Sequence, residues 1–253
     1  MDQNTLGFAE HFEELKKRLI YVILFFLISF AACYYFADDI YQFLLTPLSE
    51  YYASEGKQGG MIYTGLTEAF FTYLKLSMIA ALFFTIPFFT IQFFSFVSPG
   101  LKKGEKKVMA ICLVVTPMLF LAGAFVAYYF VFPSAWKFFL SFESASMEGL
   151  PIRLEARVSE YLSLSAQIIL AFGIVFQIPI ALTLLNRVGL IPLEWLKKQR
   201  RLAIVIIFII AAIITPPDVF SQLVLAAVMI LLYEISILLC IFLNKEKKDL
   251  KDA

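Results

Sequence analysis

Six apolar runs restrict what the chain can fold into more than any other feature. They cover residues 19–37, 70–96, 108–132, 161–185, 202–214 and 220–243. Most are close to or longer than the about 20 residues that cross about 30 Å of hydrocarbon as a helix. The runs do not alternate polar and apolar residues, as the strands of a membrane barrel do. With no internal repeat or linker, the sequence predicts an all-α membrane protein of six transmembrane helices in a single domain, residues 1–253.

Composition supports this class. The chain is 61% hydrophobic and 16% charged, whereas soluble domains carry about 45–50% apolar and about 25% charged residues. Cys33, Cys112 and Cys240 all lie inside apolar runs, so we interpret them as small apolar helix residues rather than disulfide partners. No cleavable signal peptide is evident, and the first run is taken as the first span.

The basic residues indicate the orientation of the chain. The segment before the first run, the loops after the second and fourth runs, and the tail together hold 16 Lys and Arg residues, against four in the opposite loops. Basic residues concentrate on the cytoplasmic side of membrane proteins. We therefore predict that both termini are cytoplasmic.

Local signals add detail to the spans. Pro87, Pro117 and Pro179 lie inside apolar runs and predict kinks. Residues 38–48 and 133–142 are predicted to form short helices at the membrane interface.

The fifth run is short, and the residues after it are unusual for a membrane protein. Its 13 residues reach only about 20 Å as a helix, and Thr215 to Asp218 must then turn because they contain two prolines. Asp218 and Gln222 would lie at membrane depth, where a carboxylate is costly and typical of a functional site. The alternative is that Asp218 caps the sixth helix, and the spacing does not decide between the two.

Catalytic motifs are absent from the sequence. It has no Walker A, HExxH or GxSxG motif, and His11 is its single histidine. We expect no enzyme, no catalytic residue, no metal and no cofactor. Polar residues within the spans are either internal bundle contacts or a docking face for another membrane helix; they are Gln92, Gln167, Gln177, Gln222 and Glu234.

Two carboxylates stand among cytoplasmic basic residues. Glu14 precedes the first run and Glu105 precedes the third. Acids in the first turn of a helix are stabilised by its dipole, by about 0.3–1 kcal/mol, and this is the simpler interpretation. The alternative is a docking site for a guanidinium, because a carboxylate matches the planar fork of arginine but meets lysine only as a point charge.

Several motifs resemble a known family, the TatC subunit of the twin-arginine protein translocase. The resemblance runs from about His11 to Leu243 and is most specific at residues 215–222, Thr-Pro-Pro-Asp-Val-Phe-Ser-Gln. Its other parts are His11, Glu14, Leu15 and Arg18; Pro99 with Glu105; Phe125 to Pro133; Phe172, Gly173 and Pro179; and Tyr233, Glu234 and Ile235.

The resemblance implies a fold and a function. The fold would be a concave, cup-like bundle with short fifth and sixth helices. The function would be that of a receptor in the inner membrane. It would bind twin-arginine signal peptides and, with TatA and TatB, export folded proteins using the proton-motive force, in an oligomeric complex without nucleic acid. The implied signal-peptide residues are Glu14, Glu105, Phe96, Lys16 and Arg18. The implied intramembrane or partner-docking residues are Gln177, Pro216, Pro217, Asp218, Gln222 and Glu234.

Two positions depart from the family pattern. Gln177 stands where many relatives carry Glu, so a role that needs charge is in doubt there, and Lys16 often corresponds to Arg. The rival functions are a secondary transporter, which predicts inverted repeats that the halves of the chain lack, and an intramembrane hydrolase, which lacks a nucleophile–base pair. A purely structural scaffold is a third.

Overall fold

The computed structural model describes residues 3–54, 60–97, 103–141, 156–215 and 219–252, and the side chains of residues 12–54, 60–96, 111–141, 156–215, 219 and 221–244 within them. The elements in these ranges are α1 (Gln3–Tyr35), α2 (Ala37–Ser54), β1 (Met61–Ile62), α3 (Glu68–Val97), α4 (Lys103–Val126), a π-helical turn (Ala127–Val131), α5 (Phe132–Leu140), β2 (Ala156–Arg157), α6 (Val158–Val175), α7 (Ile178–Val188), α8 (Leu193–Lys198), α9 (Arg200–Ile214) and α10 (Val219–Asp252).

Five helical stretches in the described ranges are long and apolar enough to cross a membrane. They are Phe12–Tyr35, Glu68–Phe96, Ile111–Leu140, Val158–Val188 and Ser221–Asn244. The predicted fifth span forms α9, whose 15 residues reach about 22 Å. The helical membrane fold is therefore confirmed, and the fifth span is short as predicted. The sixth helix, which was also expected to be short, is instead the 34-residue α10, so that part of the prediction is wrong.

Three helices extend beyond their predicted bounds. The first begins at Gln3 rather than at residue 19, and α10 continues to Asp252 rather than ending at residue 243. The added residues of α10 include four lysines, and lysine favours helix without being apolar. The helix expected over residues 38–48 continues to Ser54, and Asp38 and Asp39 lie in its first turn, where the helix dipole favours acids.

The prolines affect the helices differently. Helices α3 and α4 continue without a break past Pro87 and Pro117, so the kinks expected there stay predictions. The chain breaks between α6 and α7 at Phe176 and Gln177, and Pro179 follows in the first turn of α7. Proline fits that position because its missing N–H has no helical partner there.

Close packing between α4 and α6 depends on two glycines. A Cβ atom on Gly123 would lie 2.5 Å from the carbonyl oxygen of Phe172, and one on Gly173 would lie 2.7 Å from the ring of Phe120. Both phenylalanines are completely or almost completely buried. Small residues at these two points allow the helix backbones to approach closely.

An unpredicted pair of strands joins the segment between α2 and α3 to the segment between α5 and α6, and we call these two segments the far-side loops. Met61 lies opposite Ala156 and Ile62 opposite Arg157 in a parallel ladder. The strands have two residues each, too few for periodicity to reveal them in the sequence.

A polar cluster at the start of α3 reinforces this junction. The carboxylate of Glu68 accepts hydrogen bonds from the Thr64 amide at 2.7 Å and the Thr64 hydroxyl at 2.9 Å. Its other oxygen accepts from the Ser159 hydroxyl on α6 at 2.6 Å. Arg157 donates to the Thr64 hydroxyl and lies 3.8 Å from Glu68. One carboxylate therefore connects both far-side loops.

Candidate functional site

Helix α1 carries the first acidic residue of the site. Glu14 and Arg18 are four residues apart, a spacing that brings side chains together on one helix face. Nη2 of Arg18 lies 2.6 Å from Oε1 of Glu14, and Nε lies 3.1 Å from the same oxygen. The Glu14 side chain is 37% exposed and that of Arg18 is 24% exposed, so the pair remains accessible.

Helix α3 holds the arginine in place. Nη1 of Arg18 donates to Oε1 of Gln92 at 3.2 Å and lies 3.4 Å from the Gln92 carbonyl oxygen. The same two helices also meet where the rings of Phe25 and Phe88 stack at 4.4 Å. Glu14, Arg18 and Gln92 thus form a chain of contacts between α1 and α3, which we call the Arg18 clamp.

The Arg18 clamp leaves part of the carboxylate available. Both contacting nitrogens of Arg18 lie against Oε1 of Glu14, and among the described side chains none donates to Oε2. A carboxylate oxygen can accept more than one hydrogen bond. Oε2 can therefore accept a donor from a ligand while Arg18 remains bound to Oε1.

The other expected signal-peptide residues lie on three different helices or faces. Phe96 is half-buried and follows Gln92 by one helical turn, on the same face of α3. Lys16 is exposed on α1. The backbone of Glu105 belongs to α4, but its side chain lies outside the described residues. The structure therefore joins Glu14 to Arg18, and Gln92 links this pair to α3 one turn before Phe96. Gln92 was predicted only as a bundle-contact or docking residue, and its contact with Arg18 was not foreseen.

Gln177 lies at the break between α6 and α7 and connects α4 with this break. Its Nε2 donates to the Thr116 carbonyl at 3.2 Å and lies 3.5 Å from the Gly173 carbonyl. Oε1 is buried without a partner in the described part of the chain. Gln177 thus acts as an internal contact of the bundle, one of the two roles expected for it.

The α9–α10 hairpin contains the remaining intramembrane residues. Glu234 of α10 pairs with Arg200, the first residue of α9, at 2.9 Å, and both are about half exposed. Gln222 lies 3.5 Å from the Phe208 carbonyl, a long contact. Glu234 therefore has a cationic partner, which the sequence did not reveal. Pro216, Pro217 and Asp218 lie outside the described residues, so both interpretations of Asp218 stay open.

The described residues contain no group of three His, Cys, Asp or Glu side chains that could hold a metal ion. The cysteines at 33, 112 and 240 are free and buried, as expected for apolar helix residues. Fold and site together define a helical membrane protein with a clamped carboxylate at one end of its first helix.

Comparison with known proteins gives the family. The family model described as Sec-independent protein translocase protein (TatC) matches residues 10–227. The Sec-independent protein translocase protein TatC of Rickettsia prowazekii (strain Madrid E) is 50% identical over 238 residues, which cover 94% of each chain. The protein of the same name from Magnetococcus marinus is 44% identical over 229 residues, 90% of this chain and 82% of that protein.

Solved structures agree with the sequence relatives. A crystal structure of the twin arginine translocase receptor TatC in DDM superposes with a TM-score of 0.78 at 36% identity, covering 90% of this chain and 98% of that one. The chain belongs to the TatC family. The resemblance identified from the sequence motifs is thereby confirmed.

Proposed function

We propose that this chain is the receptor subunit of a twin-arginine translocase, binding signal peptides of folded cargo at the cytoplasmic face of the inner membrane. Membership of the TatC family supports the general role. The observation that carries the proposed site is the carboxylate of Glu14, which the Arg18 clamp fixes while Oε2 stays available.

The clamp gives a physical basis for reading an arginine pair. One guanidinium of the signal peptide donates to Oε2 of Glu14, and Glu105 accepts the second. Arginine offers five N–H donors in a planar fork, whereas lysine offers a point charge on a flexible stem. Arg18 already neutralises much of the charge of Glu14. The preference for arginine over lysine in the signal peptide therefore depends on directed hydrogen bonds rather than on long-range attraction. Phe96, one turn beyond Gln92, supplies an apolar surface for the residue next to the arginine pair.

The orientation and the partners belong to the same proposal. The excess of Lys and Arg on one side supports cytoplasmic termini, and the Arg18 clamp would then face the compartment that holds unexported cargo. The α9–α10 hairpin exposes apolar side chains such as Ile213 and Leu231, and it is the proposed docking surface for TatB. TatA joins this oligomeric complex when cargo is translocated.

Peptide binding tests the proposed site. We expect Glu14→Ala or Glu105→Ala to weaken binding of an Arg-Arg signal peptide by the purified protein in nanodiscs, and to leave the weaker binding of a Lys-Lys version almost unchanged. Glu13→Ala is the matched control, since Glu13 is the exposed neighbour of Glu14 and makes no contact with Arg18. Equal losses for the two peptides, or an equal loss with Glu13→Ala, would refute guanidinium recognition.

A further inference from the structure

A cavity of about 480 Å³ lies between α2, α3, the end of α4 and α6, away from the Arg18 clamp. Apart from Asp39 and the two tyrosines Tyr128 and Tyr129, the side chains that line it are apolar, and they include Ala80 of α3 and Ala124 of α4. The proposed receptor function gives this cavity no role.

The cavity lies at the depth of one bilayer leaflet. Along α3 it extends from Leu76 to Phe84, about 12 Å at 1.5 Å per residue, and Phe84 is near the middle of the span Glu68–Phe96. One leaflet of hydrocarbon is about 15 Å thick. Phe43 and Asp39, from the helix that follows the first span, mark the far-side end.

The lining determines what can fill this space. Water needs two to four polar partners to occupy a cavity, and the lining does not supply them. An empty cavity is unfavourable in proportion to its volume. A transmembrane helix crosses about 30 Å of hydrocarbon, whereas the cavity extends over only about 12 Å of α3, so its length matches an occupant confined to one leaflet. A flexible hydrocarbon chain fits, and exposed Phe84, Phe125 and Tyr129 show that the cavity opens towards the surrounding lipid.

We propose that this cavity binds one acyl chain of a far-leaflet phospholipid whose headgroup carries an ammonium group. The headgroup preference follows from the carboxylate of Asp39, which is exposed and lines the cavity at its far-side end. A carboxylate attracts the terminal ammonium of phosphatidylethanolamine and repels the phosphate of phosphatidylglycerol, which has no cation to offset it. The adjacent Asp38 interacts with Tyr73 instead.

Photolabelling in the bilayer tests the site. The full chain is placed in vesicles of phosphatidylethanolamine and phosphatidylglycerol with a trace of phosphatidylethanolamine carrying a diazirine on its acyl chain, then illuminated and mapped by mass spectrometry. We expect adducts concentrated at Phe83, Phe84 and Phe125. An even distribution over these and equally exposed residues of α9 such as Ile209 would overturn the proposal.

Variants sharpen the result. Ala124→Phe fills the cavity and should abolish these adducts, whereas Ala122→Phe, two residues away on the exposed face of the same helix, should retain them. Ala80→Phe fills the cavity from α3 and serves as a second variant if Ala124→Phe does not fold. Persistence of the adducts in folded filled variants contradicts the proposal.

Two further measurements test the headgroup preference and competition by a signal peptide. Asp39→Asn should keep the labelled positions but remove the excess of labelling by the ethanolamine probe over a glycerol probe with the same diazirine chain. Equal labelling by the two probes in the unmodified protein would refute the headgroup preference. Loss of the adducts on adding an Arg-Arg signal peptide would show that the peptide enters the cavity and displaces the lipid, which would overturn the proposal of a dedicated lipid site. Because the assay needs no cargo recognition, it can succeed or fail independently of the proposed function.

Discussion

Replacing Arg18 by Lys separates two roles that the Arg18 clamp could have. Lysine keeps the positive charge but cannot contact Glu14 and Gln92 at the same time with the geometry observed. The effect on folding should be small, because partly exposed pairs spaced four residues apart contribute about 0.3–0.5 kcal/mol. The effect on peptide binding should be larger, because Oε2 of Glu14 then points in a less defined direction.

The magnitude follows from the contacts. A hydrogen bond to a charged group contributes about 1.5–3 kcal/mol. Glu14 is 37% exposed and Arg18 is 24% exposed, so solvent reduces this to about 1 kcal/mol, or about fivefold in affinity. Gln92→Leu removes the side-chain contact on α3 and should weaken Arg-Arg peptide binding by a similar factor. The control is Gln167→Leu, the same replacement at an exposed position of α6.

The double variant decides whether the residues act together. Both changes disturb one chain of contacts. The double variant Arg18→Lys with Gln92→Leu should therefore bind the Arg-Arg peptide about fivefold more weakly, whereas two independent effects would multiply to about 25-fold. Fluorescence anisotropy with a labelled signal peptide measures all three variants. Tighter peptide binding by Arg18→Lys would refute the argument, because it would mean that Arg18 competes with the peptide for Glu14.

Three further expectations concern the rest of the fold. Gly123→Ala should lower the free energy of unfolding by about 1–3 kcal/mol through overpacking, whereas Gly60→Ala, with open space around its Cβ position, should change it little in the same denaturation assay. Glu68→Ala should speed hydrogen exchange at β1 and β2 without affecting peptide binding; unchanged exchange there would contradict its role in joining the loops. Arg200→Gln should cost less than about 1 kcal/mol because its pair with Glu234 is about half exposed; a loss of several kcal/mol would place the pair in lipid.

Apolar runs predicted the membrane helices well because length and hydropathy are local properties. The ends were less predictable: α10 continues past Leu243 because lysine sustains a helix outside lipid as readily as apolar residues do inside it. The break before Pro179 was predicted only as a kink. Whether a proline kinks a helix or ends it depends on how neighbouring helices satisfy the freed backbone groups, and the sequence does not show this.

The site was predictable in its residues but not in its contacts. Glu14 stood out because it is a carboxylate among basic residues, and a carboxylate can bind the guanidinium of an arginine. That Arg18 already binds it could have been suspected from their spacing of four residues. The contact with Gln92 depends on how α1 packs along α3, which no local pattern specifies. A polar residue inside an apolar run, one turn before Phe96, was the available signal.

The length of α9 has a consequence for the lipid around it. At about 22 Å it is some 8 Å shorter than an average hydrocarbon core of about 30 Å. Such hydrophobic mismatch costs fractions of a kcal/mol per Å. Deforming the bilayer to match α9 therefore costs up to a few kcal/mol. A neighbouring helix that replaces this strained lipid recovers part of that energy. Bilayer elasticity can thereby favour assembly at α9 even without a polar contact.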